Sequence, residues 1–523
     1  MIKSLWSDQE FVVRVCGQTE LALRVCGQTE SVSEIDRAIS EKSIWARAEI
    51  LYDSLMSKRF RVCSLDQEFL LPPSLQDWLP EDHLARFIAD VVNELDLSAI
   101  YAEYERKDGR GLSAYHPLLM TRLLLYGYCI GITSSRKIEK ATYDNVAFRY
   151  LSADQHPDHD TLAAFRQEHL EALAGLFVQA LRLCQKAGLV KLGNVAIDGT
   201  KMKANASTHR SVGYQKISER EEHWRSEVER LLNQARQTDQ EEDQRFGVSQ
   251  PADPLPDDLA SAQKRLQRLQ QAKTELEQEA KEQLEAVGAL PLRKRGRPSK
   301  AEQTIQPPKD RKQREKEKKQ RLRARENAAA PGRQYNFVDP DSRVMRDNGQ
   351  KCFVQAYNVQ IAVDAHAQVI VAAELTQQTI DRQQLLPIIK SVCSTAQATP
   401  KTITADAGYW DTASLLDPSL KGIEVLVSPD SNPQPPGAPL PPSAPRNEES
   451  IRMREALASQ EGKARYALRK STVEPVFGQI KEARGIRRFR LRSLSKVTSE
   501  WKLICATHNL LKLFRYRAAV APA

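Results

Sequence analysis

The sequence predicts an α/β chain with a helical N-terminal region and a mixed sheet core, interrupted by a helical hairpin after its first core strand. Three observations carry that prediction. Leu84, Phe87, Ile88, Val91, Val92 and Leu95 recur at three-to-four spacing, and helical patterning continues to about residue 190. The pattern then switches to short β-branched runs, beginning with Val195-Ala196-Ile197. Between strands lies a charge-rich stretch with a heptad-like seam of Leu259, Ala262, Leu266, Leu269, Lys273, Leu276 and Ala280. With 523 residues, 41% of them apolar, the chain can bury a core, and its length fits about two to four domains of roughly 100–200 residues.

Each element follows in order. Residues 1–55 form an atypical extension in which Phe11–Glu20 recurs at once as Leu21–Glu30. Two copies are too few for a solenoid. The repeat reads as a translated DNA duplication, so the functional chain is expected to start near Met56 and the extension to be dispensable. Residues 65–190 make a helical domain, with helices over 117–132, 134–141 and 161–187 and Asp160 capping the last. Its Arg122, Arg136, Lys137, Lys140 and Arg149 are either phosphate contacts or ordinary surface charges. Residues 191–214 hold the first core strand, which ends at Asp198 before Gly199-Thr200. Residues 215–330 are the insertion, with helices over 217–235 and 257–284 followed by a basic linker. Residues 331–430 continue the core with a hairpin (357–363 and 369–375), a helix over 380–391 kinked or broken at Pro387, and strands at 402–406 and 423–427. Residues 431–447 are a linker, with seven prolines between Pro433 and Pro445. Residues 448–523 are helical with a basic face.

A formal charge of +9 hides an uneven distribution. Residues 291–325 carry 15 Lys/Arg against 4 Asp/Glu, and residues 463–517 carry 15 against 3, which leaves the remaining chain at −14. Two basic segments on an acidic protein point to a polyanion, nucleic acid first. A solvated linker and a Lys/Arg-covered helix are the competing reading. The longest greasy stretch, residues 118–132, contains Arg122 and falls short of the roughly 18 residues of a membrane span. No secretory leader pattern is seen, and eight scattered cysteines form no C-x-x-C pair, so a reducing, cytoplasmic setting is expected without zinc ribbon or disulfides. The nine histidines show no ligand spacing, and His508-Asn509 reads as packing.

Asp198 and Asp406 lie at or just past the ends of apolar β-runs, where strand-end side chains converge in α/β sheets. With Glu474 from a flanking helix they make an all-oxygen ligand set of the kind Mg²⁺ or Mn²⁺ takes. Two such ions roughly 3.5–4 Å apart serve phosphodiester displacement. Chance is the rival account, because 68 acidic residues supply many strand-end aspartates.

Neighbouring residues sharpen this. The segments VAIDGTKMKANAS (195–207), TADAGYWD (404–411) and VEPVFGQIK (473–481) together resemble the DDE transposases of bacterial insertion sequences. Residues 115–166 are similar to the helical N-terminal domain of those enzymes, and residues 338–363 to the segment after their first core strand. The resemblance spans about 69–513. It implies an RNase H-like core, a metal-binding triad of Asp198, Asp406 and Glu474, and two Mg²⁺ (or Mn²⁺) ions. It also implies cut-and-paste transposition, with DNA cleavage and strand transfer at one site. Double-stranded DNA, both terminal inverted repeats and target, is the implied partner. Pairing two ends calls for a homodimer or higher assembly, with the Leu259–Ala280 seam as a candidate contact against packing within one hairpin. A bacterial nucleoid location follows, and no membrane partner.

The family signature around the glutamate is Tyr, two residues, Arg, three residues, Glu, six residues, Lys. Glu474 to Lys481 keeps that spacing, and Tyr466 to Arg469 fits, but Arg469 to Glu474 is one residue too long. Lys470 stands at the basic position instead and is favoured as the phosphate contact over Arg469. Pro475 places Glu474 at a helix N-terminus, off the axis of Tyr466. Lys294–Lys300 (KRGRPSK) contains Arg295 and Arg297 in an AT-hook-like core, with a plain basic linker as the alternative. Residues 484–496 interleave Phe489 and Leu491 with Arg487, Arg488, Arg490 and Arg492, a phosphate-gripping helix or loop beside the site. Trp410 is either a base-stacking residue or part of the core. A related RNase H-like nuclease and an inactive DNA-binding relic are the alternative functions.

Overall fold

A computed structural model describes residues 74–106, 113–246, 257–288, 332–347, 351–430 and 447–520, residues 322 and 326, and three short N-terminal strands. Arg295, Arg297, the rest of the basic linker apart from residue 322 and nearly all of the proline-rich segment lie outside the described residues. The chain divides into two compact units, Met1–Pro73 and Ser74–Ala523. In the first, β1 (Ser4–Ser7), β2 (Glu10–Val13) and β3 (Leu21–Leu23) form an antiparallel sheet in that order. β2 and β3 hold corresponding positions of the duplicated ten residues and pair with each other, Phe11 opposite Leu23.

The second unit begins with seven helices: α1 (Leu84–Glu94), α2 (Ser98–Glu105), α3 (Pro117–Cys129), α4 (Ser135–Asp144), α5 (Val146–Leu151), α6 (His159–Glu168) and α7 (Leu170–Lys186). The predicted periodicity becomes α1, which buries Phe87, Ile88, Val91 and Val92. The cap of α6 is Asp158 rather than Asp160; its carboxylate accepts from the Asp160 and Thr161 N–H groups at 2.9 and 2.8 Å.

The sheet follows: β4 (Asn194–Lys203), β5 (Ser211–Gly213), β6 (Gln334–Asn336), β7 (Arg343–Asp347), β8 (Cys352–Asp364), β9 (Ile370–Thr376), β10 (Thr402–Ala405) and β11 (Glu424–Val427). β5 and β6 pair apart; the main sheet runs β11-β10-β4-β8-β7, with β9 also on β8. β10 is parallel to β4 and β11, while β8 is antiparallel to β4, so the sheet is mixed. Alternation along β4 sends Ala196 and Met202 into the core beneath the N-terminal helices, and Val195 and Ile197 into a second core on the other face.

The inserted helices α8 (Tyr214–Phe246) and α9 (Asp257–Gly288) pack on each other. Leu259, Ala262, Leu269, Leu276 and Ala280 are buried there, and Lys273 pairs with Glu221 of α8 at 2.8 Å. Of the two accounts the sequence left open for the seam, the structure has it packed within one hairpin. The helix expected over 380–391 is α10 (Leu385–Ala396). Pro387 sits in its first turn, where a missing N–H costs nothing, and residues 380–384 are a loop. After the short α11 (Thr412–Leu415) come α12 (Glu448–Ala458), α13 (Gln460–Gly478), a π-helical turn (Gln479–Ala483) and α14 (Leu494–Val520). Trp501, Leu503 and Ile504 of α14 join the core shared by α1–α7 and one face of the sheet. The N-terminal helices thus have no core of their own. No helix among the described residues is long and apolar enough to cross a membrane.

Candidate nucleic-acid active site

The site is a notch in the edge of β4. Pairing with β10 ends at Ala196 opposite Thr404, although β4 continues to Lys203 against β8. Asp198 follows Ala196 by two residues, and Asp406 follows Thr404 by two, so the carboxylates occupy matching positions on neighbouring parallel strands. Asp198 is therefore in mid-strand, not at a strand end as the apolar run implied. What ends beside it is its neighbour. At Lys203 the edge is taken up again by residues 487–489, with the Lys203 N–H donating to the Arg487 carbonyl and the Phe489 N–H to the Lys203 carbonyl (3.3 and 2.9 Å).

Both aspartates are half-buried and poorly compensated. Asp198 accepts from the Gly199 N–H at 2.8 Å, and Asp406 from the Gly408 N–H at 2.9 Å. Burial pushes the Asp198 carboxyl up to about 6; Asp406 and Asp381 push the same way, while the Gly199 N–H and Arg469 hold it back. Burial raises Asp406 too, against the pull of Arg469.

Arg469, and not Lys470, faces this pair: Arg469 is buried, whereas Lys470 is exposed. Its guanidinium lies 5.8 Å from the Tyr466 ring centroid, and Tyr466 is itself within the field of Asp406. One extra residue before Glu474 thus leaves the arginine, rather than the lysine, on the inward face of α13. Glu474 is exposed in the last third of α13, which runs straight through Pro475, so it does not stand at a helix N-terminus. Pro475 has no N–H for the Ser471 carbonyl, and the Gln368 side-chain amide donates to that carbonyl instead (3.0 Å). The structure brings Asp198, Asp406, Tyr466 and Arg469 together and leaves Glu474 on the surface of the same helix. Among the described residues no three acidic, His or Cys side chains stand at metal-ligating distance.

Lys481 fills the far part of the notch, donating to the Thr200 hydroxyl and the Lys201 carbonyl at 2.6 and 2.9 Å. The π-helical turn places it there, and burial lowers its pKa. Arg487, Arg488, Arg490 and Arg492 are exposed on an extended strap whose Ile486, Phe489 and Leu491 are buried. Arg490 Nε donates to the Thr133 hydroxyl and Arg492 Nε to the Asn205 carbonyl, both at 3.0 Å. Trp410 is buried in the core, and His508 and Asn509 bond to backbone at Gln368 and Ile370.

The N-terminal helices and the helix that carries Tyr466, Arg469 and Glu474 both match known families. Residues 73–168 match the transposase domain described as DUF772, and residues 441–514 match the transposase DDE domain. Two transposase segments at these positions support a DDE transposase of insertion-sequence type. Asp198 and Asp406 lie between the two matched segments. No curated protein and no solved structure matches the chain.

One carboxylate near the site was missed in the sequence. Asp381, in the loop before α10, accepts from Asn358 Nδ2 (2.6 Å), Gln360 Nε2 (2.8 Å) and Lys201 Nζ (3.4 Å). Gln360 reaches it beside Gly199, where a Cβ would meet Gln360 Nε2 at 2.3 Å. A helix drawn over 380–391 hid this residue; only the reading of Pro387 as a first-turn proline would have freed it.

Proposed function

We propose that this transposase cleaves DNA at the ends of its element and joins the freed 3′ ends to target DNA by cut-and-paste transposition, on an RNase H-like core. The observation that carries the reading is the pair Asp198–Asp406, at matching positions on parallel neighbours, with Arg469 beside it. Two half-buried carboxylates whose proton affinity burial raises, with Asp406 adding to that of Asp198, fit a divalent cation, which relieves the same cost that protons do. Asp198, Asp406 and Glu474 are the residues proposed to hold Mg²⁺ or Mn²⁺, with Glu474 turned in from the surface of α13. When bound, two such ions supply activation of the attacking oxygen and stabilisation of the leaving one.

This chain's own residues do the rest. Arg469 is placed to hold the scissile phosphate against the acid pair, and the aromatic face of Tyr466 steadies the guanidinium. Lys481 keeps the notch open by holding β4, while Arg487, Arg488, Arg490 and Arg492 line the approach for backbone phosphates. Arg295 and Arg297 are proposed to add salt-sensitive, sequence-blind affinity for duplex DNA. One phosphodiester replaces another during joining, so no energy source is needed. A dimer or larger assembly on two DNA ends, in the cytoplasm at the nucleoid, completes the proposal.

The test compares wild type with Asp198→Asn, Asp406→Asn and Glu474→Gln on DNA carrying the element's terminal repeats. Cleavage and strand transfer of a pre-cleaved end are expected to fall by about three orders of magnitude or more, with DNA affinity unchanged within about twofold. Retained cleavage in both aspartate variants rejects the site, and cleavage without strand transfer by the wild type favours a nuclease instead.

A further inference from the structure

Beneath the acid pair, on the opposite face of the sheet, a chain of hydrogen bonds crosses from β8 to the turn that carries Asp406. Asp198 alternates with Ala196 and Met202, which enter the core under the N-terminal helices, whereas Gly199 lies on the face of Val195 and Ile197. Gly199 pairs with Gln360 of β8, and Gln360 shares that second face with Ala362. The Gln360 side chain is fully buried and lies over Gly199. A Cβ at residue 199 would meet its Nε2, Cδ and Oε1 at 2.3, 2.8 and 2.9 Å. The backbone does not require glycine here, since Gly199 is not at positive φ. What the missing side chain provides is room for the amide.

Both ends of that amide are used. Its Oε1 accepts from the Tyr409 hydroxyl, and its Nε2 donates to Asp381 Oδ1 at 2.8 Å. An ionised carboxylate only accepts, so Asp381 fixes the amide with its nitrogen outward and leaves the oxygen for the phenol. Asp381 is itself held by Asn358 Nδ2 of β8 (2.6 Å) and by Lys201 Nζ of β4 (3.4 Å).

Tyr409 is buried and closes the short turn that begins at Asp406. Its N–H donates to the Asp406 carbonyl at 3.1 Å, and the Gly408 N–H donates to the Asp406 carboxylate at 2.9 Å. Anchoring the Tyr409 hydroxyl therefore anchors Asp406, three residues earlier. The place matters, because pairing between β10 and β4 stops at Thr404 opposite Ala196, before either aspartate. Past that point the ladder between these two strands no longer sets their spacing, and side chains take over.

Building on the proposed metal site, we infer that Tyr409, Gln360 and Asp381 form a strut that sets the separation of Asp198 and Asp406, with Gly199 leaving room for it to pass. Asp198 is held opposite Ile361 by the β4–β8 ladder, and the strut ties the Asp406 turn to Gln360, the next residue of the same strand. Both carboxylates are thereby referred to β8. The four are positioning residues, acting through the aspartates from the far face of the sheet. A divalent cation takes its carboxylate donors at fixed distances, so a loosened strut weakens metal binding while the fold persists.

The test titrates Mn²⁺ into the full chain and follows loss of the free-ion EPR signal, without DNA and with a duplex carrying the element's terminal repeats. Gly199→Ala displaces the Gln360 amide, and Tyr409→Phe removes one hydroxyl. Each is expected to weaken Mn²⁺ binding roughly ten- to hundredfold. Raising Mn²⁺ should restore most of their cleavage, as it should not for Asp198→Asn. Tyr128→Phe, which removes a buried phenol hydroxyl bonded to Glu500 outside the notch, is the control and should bind Mn²⁺ as wild type does. Should Gly199→Ala not fold, Tyr409→Phe decides. Wild-type Mn²⁺ affinity in the strut variants, or an equal loss in Tyr128→Phe, overturns the strut. If that happens while wild type binds Mn²⁺ and Asp198→Asn does not, the strut is wrong and the proposed metal site stands. If wild type binds no Mn²⁺ in either condition, both fall.

Discussion

Two regions of this molecule bury acidic side chains, and they treat them in opposite ways. At the junction of α3, α6 and α14, Glu500 is fully buried, and burial raises its pKa as it does that of Asp198. Yet its carboxylate accepts from the Arg490 and Leu491 N–H groups (3.0 and 2.9 Å) and the Tyr128 hydroxyl (3.2 Å). Arg166 Nη1 backs that hydroxyl at 3.3 Å. In the notch, Asp198 and Asp406 are less buried, share one arginine and face each other. The first charge is used up inside the protein, where it clasps the arginine strap to the N-terminal helices. The second has few donors within the protein, as the proposed metal site requires. Burial alone does not separate the two regions; the count of donors does.

That contrast can be broken in graded steps. Beyond the loss of cleavage expected for the aspartate variants, the largest effect belongs to Glu500→Ala. It strands the Tyr128 hydroxyl and two backbone donors, removes the carboxylate near Arg166, and should cost about 3–5 kcal/mol in denaturant unfolding. A loss below about 1 kcal/mol would mean the clasp is incidental. The next effect concerns His508, whose pKa burial lowers to about 3, with Arg484, Lys512 and Arg515 adding to it. Its unfolded value is near 6.5, so the unfolded chain binds the proton first as pH falls. The stabilisation is complete above pH 6.5 and lost progressively toward pH 3, about 3 kcal/mol of it by pH 4. In His508→Gln that part of the acid-induced loss should vanish from stability curves measured at successive pH values; an identical pH dependence contradicts the assignment. Smallest is Tyr128→Phe, which removes one of three donors to Glu500 and should cost about 1–2 kcal/mol by thermal unfolding, with cleavage kept.

The same contrast explains what the sequence revealed. Asp198 and Asp406 were legible because short apolar runs, each leading into an acid, mark converging strands, and the charge count already marked the strap. The clasp was not legible, because Glu500 sits among helical residues in α14 and its partners Tyr128, Arg490 and Leu491 are distant along the chain. Proline misled twice. Pro387 was read as a kink when it marks a helix start, which hid Asp381. Pro475 was read as a start although α13 passes through it, because Gln368 supplies from another element the donor the proline lacks. Such a repair is tertiary, and no local pattern encodes it. The seam in α9 was correctly seen as apolar, but its partner was α8 and not a second copy, a choice that helix spacing leaves open.

The central claim is that the notch holds uncompensated negative charge awaiting a cation. Thermal and denaturant unfolding of wild type and Asp198→Asn at pH 7.5, each with and without Mg²⁺ or Mn²⁺, tests it most directly. Because folding raises the Asp198 pKa to about 6, its ionisation above that pH works against the fold. Asp198→Asn should therefore be more stable than wild type without metal, by up to about 3 kcal/mol. Wild type should gain about 2–3 kcal/mol from metal near a hundredfold above its Kd, and the variant little or nothing. A wild type indifferent to metal, together with a variant less stable than wild type, would contradict the account.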